Sequence, residues 1–100
     1  MPYAEPLTDA ELAETLASLP GWEREGAVIR RTVELAGFRA AISLVNAVAE
    51  AAEAANHHPD ILIHRYRRVT FTLMTHAAVA ITMRDIELAA RIDDLAGDSA

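Results

Sequence analysis

Residues 38–55 read FRAAISLVNAVAEAAEAA, and Asn56, His57, His58 and Pro59 follow directly. Phe38, Ala41, Ile42, Val45, Val48, Ala49 and Ala52 recur at the i, i+3, i+4, i+7 spacing of one helical face. Alanine, which dominates the run, has the highest helix propensity and lets another backbone approach closely. The segment is therefore predicted as a helix from Phe38 to Ala55. Pro59 marks the break after it and biases His58 toward extended geometry.

On the C-terminal side, Asp60 to His64 and Val69 to Thr75 read as a strand pair joined around Arg65 to Arg68. Val69, Phe71 and Leu73 would face one way. Thr70, Thr72 and Met74 would face the other, with His76 continuing that second face. A last helix is expected from Arg84 to Leu95. Thr82 is placed to cap it, with Asp85 three residues on as the partner of a capping box. Ile86, Ala89, Ala90 and Ile92 give a partial apolar stripe, and Gly97 is a stop.

On the N-terminal side, Ala27 to Leu35 is rich in β-branched residues, which favour strands. The alternation is imperfect, because Arg31 shares a face with Ile29 and Val33. Trp22 to Arg24 is a short strand before a turn at Glu25-Gly26, and Trp22 is an anchor in a core or interface. A first helix from Asp9 to Leu19 is capped by Thr8 with Glu11, carries the stripe Leu12, Leu16 and Leu19, and stops at Pro20-Gly21. The order is helix, strand, strand, helix, strand, strand, helix. Short spacing within each strand pair favours antiparallel pairing. The expectation is one α+β layer domain over residues 1–100.

Composition narrows the function. A hydrophobic fraction of 52% argues against disorder. The net charge of -6 opposes phosphate backbones and anionic lipids, so neither nucleic acid nor membrane is an expected partner. Arg65, Arg67 and Arg68 cluster, and they read as a solvated strand edge that resists pairing with other chains. With no cysteine, a disulfide framework, a thiolate zinc site and a cysteine nucleophile are excluded. The first residues lack the basic and apolar regions of a secretory signal, and no stretch approaches membrane-spanning length, so a cytoplasmic location is the default.

All four histidines, His57, His58, His64 and His76, fall within residues 57–76. Imidazole exchanges protons near neutral pH, and a helix C-terminus favours its charged form. Glu53, four residues before His57, would share its face if the helix continued; it could set the His57 tautomer or form an ordinary helix-surface pair. A three-histidine metal site is the rival reading. However, adjacent His57 and His58 project in different directions, and no helical H-E-x-x-H pattern is present. Phosphate loops, nucleophile elbows and glycosidase acid pairs are also missing.

The segment Glu53-Ala54-Ala55-Asn56-His57-His58-Pro59-Asp60 resembles the signature of the pterin-4a-carbinolamine dehydratases. That pattern continues with an aromatic, here Tyr66, then Thr75-His76, then a helix carrying Arg84-Asp85. Gly21-Trp22, the Ile29-Arg30-Arg31 strand and the alanine-rich helix also match, so the likeness runs from about Leu7 to Asp94. The resemblance implies a four-stranded antiparallel sheet with three helices packed on one face. It also implies a homodimer or homotetramer that removes water from a 4a-hydroxy-tetrahydropterin without metal or organic cofactor.

By the same resemblance, His57, His58 and His76 are the catalytic set, supported by Glu53 and Asp85. Substrate contacts fall on Asn56, His57, His58, Met74, Thr75, His76 and Ala77. The chain departs from the pattern in places. Residues 60–65 separate Pro59 from Tyr66, one more than usual, and a longer hairpin or a bulge would absorb the insertion. Ile61 stands where a tryptophan is common, and Asn56, Met74 and Ala77 stand where Asp, Ser and Glu are typical. No role falls on His64. Alternatives are a non-enzymatic interaction module, since some relatives dimerise other proteins, and a place in another pterin-linked pathway.

Overall fold

A computed structural model describes residues 5–97. The elements are α1 (Asp9–Leu16), β1 (Glu23–Glu25), β2 (Val28–Glu34), α2 (Phe38–Ala55), β3 (Asp60–His64), β4 (Arg68–Leu73) and α3 (Met83–Ala96). The strands form one antiparallel sheet in the order β1-β2-β4-β3. Its core face carries Ile29, Val33, Val69, Phe71 and Leu73. These join Leu12 of α1, Ala41, Leu44 and Val48 of α2, and Ile86, Ala89 and Ile92 of α3 in one apolar cluster. All three helices therefore lie on one side of the sheet, as expected.

The opposite face of the sheet is rich in polar side chains, with Leu62 exposed among them. Thr32 and Thr70 hydroxyls meet at 2.7 Å, and His64 Nε2 lies 2.9 Å from Thr70 Oγ1. His64 thus sits at the far end of β3 from Asp60, and its ring is spent on a cross-strand bond.

Both capping boxes form as the sequence indicates. Thr8 accepts from the Glu11 amide and Glu11 from the Thr8 amide; Thr82 and Asp85 do the same at α3. The first helix is shorter than expected and ends at Leu16 instead of Leu19. Ser18 and Leu19 donate to Thr15 and Leu16, tightening the chain into short turns before Pro20, yet Leu19 is still buried.

Trp22 lies outside β1 but is buried, and its Nε1 donates to Asp93 Oδ1 at 2.8 Å. Arg31 pairs with the same carboxylate. That pairing explains the broken alternation of β2: Arg31 occupies the core face because α3 supplies its counter-charge. Gly21 permits the approach, since a Cβ there would sit 2.9 Å from Arg31 Nε.

Three further expectations are corrected. The buried face of α2 runs through Ala41, Leu44, Val48 and Ala52, which leaves Phe38, Ile42 and Ala49 exposed. The predicted stripe was rotated because alanines on neighbouring faces carry almost no directional signal. Strand β4 stops at Leu73, two residues early, because Thr75 leaves the ladder for an isolated bridge with Ala80. His76 therefore lies on a turn and does not continue the Thr70–Thr72 face. The arginine cluster is not a strand edge either: Arg65 and Arg67 are in the β3–β4 turn, and Arg68 opens the interior strand β4. The ladder from Asp60↔Thr72 to His64↔Arg68 is unbroken, so the turn, with Arg65 and Tyr66 at positive φ, takes up the chain length without a bulge.

Candidate active site

The site is built where α2 ends. Asn56 adopts a left-handed conformation, φ 50° and ψ 45°, which asparagine tolerates better than most residues. Its amide donates to Glu53 O, and the His57 amide donates to Ala52 O at 3.1 Å. This closing motif satisfies carbonyls that the helix end would leave open. It also turns the chain so that the two histidines part company.

His57 swings inward. Its side chain is 9% exposed, and Nε2 lies 2.6 Å from Oδ1 of Asp85, which is fully buried. The other Asp85 oxygen, Oδ2, accepts from the Thr82 amide at 2.9 Å and from the Thr75 hydroxyl at 2.9 Å. Asp85 thus serves the N-terminus of α3, where the helix dipole favours a negative charge, and orients His57 at the same time.

His58 stays outside. Its Nε2 lies 2.6 Å from Glu53 Oε2, with side chains 58% and 75% exposed respectively. The expected Glu53–His57 pair is therefore replaced by Glu53–His58 and Asp85–His57. The i, i+4 relation fails because the helix has already ended at Ala55, and the left-handed turn at Asn56 rotates His57 away from Glu53.

An open cleft of about 350 Å³ is bounded by both of these histidines, by Pro59 and Asp60 and by His76 and Ala77. Its size falls at the lower end of the range typical of small-molecule sites. Among the expected site residues, Asn56, His57, His58, Thr75, His76 and Ala77 line it. Glu53 and Asp85 stand behind their histidines, and Met74 does not reach it. The Thr75 hydroxyl is turned inward to Asp85 and to Thr82 Oγ1, 2.7 Å away.

Sequence reading gave no role to Asp60 or Arg84, and gave Thr82 only its place as a helix cap. Arg84 lines the cleft and donates from Nη2 to Asn56 O at 2.8 Å, tying the end of α2 to the start of α3. The capping-box spacing of Thr82 and Asp85 was visible, but their link to His57 crosses 28 positions and no local rule reports it. A wider groove of about 430 Å³ between α2 and α3 shares His57 and Arg84 with the cleft, so these two side chains form the wall between the cavities. Among the described residues no three His, Cys, Asp or Glu side chains converge as metal ligands, and no helix is long and apolar enough to cross a membrane.

Comparison with known proteins identifies the family. Residues 5–95 match the family model described as Pterin 4 alpha carbinolamine dehydratase. A proposed pterin-4-alpha-carbinolamine dehydratase of Nocardia farcinica is 58% identical over 90 residues, covering 90% of this chain and 94% of the relative. Another from Thermomicrobium roseum is 52% identical, covering 90% and 96%. The crystal structure of a transcriptional coactivator/pterin dehydratase from Brucella melitensis superimposes with a TM-score of 0.88 at 33% identity, over 93% of this chain and all of that one. A pterin dehydratase-like protein identified as a RuBisCO assembly factor in the alpha-carboxysome shares the fold, with a TM-score of 0.63 at 21% identity, over 76% of this chain and 87% of that one. With a family match over almost all of its length and relatives above half identity, this chain belongs to the pterin-4-alpha-carbinolamine dehydratase family.

Proposed function

We propose that this protein is a hydro-lyase that converts a 4a-hydroxy-tetrahydropterin to the quinonoid dihydropterin, as in the recycling of tetrahydrobiopterin. The observation that carries the reading is the placement of three imidazoles, His57, His58 and His76, around one cleft, two of them backed by carboxylates at 2.6 Å. The elimination breaks the bond between the 4a carbon and its hydroxyl and forms a carbon–nitrogen double bond. A protonated imidazole delivers a proton to the departing hydroxyl, which leaves as water. A neutral imidazole removes the proton from the adjacent ring nitrogen. The chemistry needs no redox partner, because the product differs from the substrate by one water.

Asp85 and Glu53 serve to orient His57 and His58. The flat heterocycle would rest against Pro59 and Ala77, with polar contacts from Asn56 and Asp60 at the rim. A homodimer or homotetramer in the cytoplasm belongs to the same proposal. Exposed Ile61 and Leu62 on the edge strand β3, and Phe38 and Ile42 on α2, are the surfaces that association would cover. Sedimentation or light scattering showing a monomer at micromolar concentration would remove that part alone.

The deciding measurement is the decay of 4a-hydroxypterin absorbance after enzymatic hydroxylation. Purified protein should accelerate it, and His57→Ala or His76→Ala should abolish the gain; wild-type protein without effect would sink the reading. The same exposed residues of α2 favour a second reading, an interaction module that binds another protein through that helix. Partner binding that survives both histidine substitutions but is lost in Phe38→Asp would favour it.

A further inference from the structure

The hydrogen bonds behind His57 run in one direction. The Thr75 hydroxyl donates its single proton to Asp85 Oδ2. It cannot then donate to Thr82 Oγ1, 2.7 Å away, so Thr82 must donate to Thr75. Thr82 Oγ1 accepts in turn from the Arg84 amide, and the Thr82 amide, a group that can only donate, ends on Asp85 Oδ2. Each of these groups is part of the first turn of α3 or the bridge beside it. Thr75, Thr82 and Asp85 are all buried, so water does not compete for the bonds.

From this chain we infer that Thr82 and Thr75 are positioning residues for His57. Together their bonds fix Oδ2 as an acceptor and turn the carboxylate so that Oδ1 faces His57 Nε2, which keeps the neutral imidazole in its Nε2–H tautomer and leaves Nδ1 as the nitrogen free to meet a ligand. The consequence for catalysis rests on the dehydratase reading; the tautomer does not. The cap of α3 is thus a device with two outputs. It starts the helix, and it sets which nitrogen of a histidine 25 positions away in sequence, 57 against 82, carries the proton.

The test uses the full chain labelled with ¹⁵N-histidine, with the His57 signals assigned by their loss in His57→Gln. Wild-type protein should show the Nε2–H pattern at a pH where the ring is neutral. Thr75→Val leaves the Thr82 cap in place and removes the donor to Asp85; Thr82→Val removes the cap hydroxyl. Both should give mixed tautomers, and Thr82→Ser should restore the single one. In the dehydration assay kcat should fall about tenfold in the valine variants while KM stays within about twofold, a split that loss of binding would not give. If Thr82→Val fails to fold, Thr75→Val carries the test alone. A single Nε2–H tautomer in Thr75→Val would overturn the inference. The tautomer can be read whether or not the protein turns over a pterin. Mixed tautomers beside an inactive wild type would therefore defeat the dehydratase reading and leave the positioning role standing.

Discussion

Two histidines adjacent in sequence each meet a carboxylate at 2.6 Å, yet the two pairs occupy opposite environments. Asp85 is inaccessible and His57 almost so, whereas most of Glu53 and His58 faces solvent. The contact distance is the same and the physical meaning differs. A buried carboxylate that loses a partner leaves an uncompensated polar group, while water replaces the partner of an exposed one. The difference originates in one residue, Asn56, whose left-handed turn sends His57 inward and leaves His58 outside.

The comparison breaks most sharply at the carboxylates. Asp85→Ala should lower unfolding free energy by about 3 kcal/mol, because the Thr82 amide, the Thr75 hydroxyl and His57 all lose their acceptor. Glu53→Ala should change it by less than about 0.5 kcal/mol. Urea titrations monitored by far-ultraviolet circular dichroism measure both, and equal costs would show that burial does not separate the pairs. In activity, Asp85→Asn should reduce kcat about a hundredfold, against less than about tenfold for Glu53→Gln.

Asn56 itself tests where the separation arises. Asn56→Val should cost about 1–2 kcal/mol, since a β-branched residue resists positive φ, whereas Asn56→Gly should be near neutral. Thermal melts of the two variants measure this. The smallest expected effect is that of salt. Raising NaCl to about 1 M shortens the screening length to about 3 Å and should shift the His58 imidazole resonances while leaving those of His57 in place. An equal response from both rings would contradict the assigned exposures.

Much of this architecture is visible in local rules. The Thr8–Glu11 and Thr82–Asp85 boxes, the bounds of α2 and the strand pairs all follow from spacing, because each is decided within a few residues. The family resemblance likewise names several residues that the structure gathers around one cleft. What the sequence hides are decisions between distant segments. Glu53 looks like the partner of His57 because they are four apart, and only the helix end at Ala55 transfers it to His58. Arg31 looks like a fault in β2 until α3 brings Asp93 to it. The buried side of α2 is ambiguous because the alanines that let the sheet approach are equally at home in water. His76 reaches the cleft through a turn after β4, where strand alternation no longer applies.

The carboxylate of Asp93 holds both Arg31 and the indole of Trp22, the sole tryptophan of the chain. One intrinsic fluorophore is therefore wired to the last helix from the far end of the polypeptide. Its emission reports when α3 has docked, so assembly behind the histidine cleft can be followed optically without any added label.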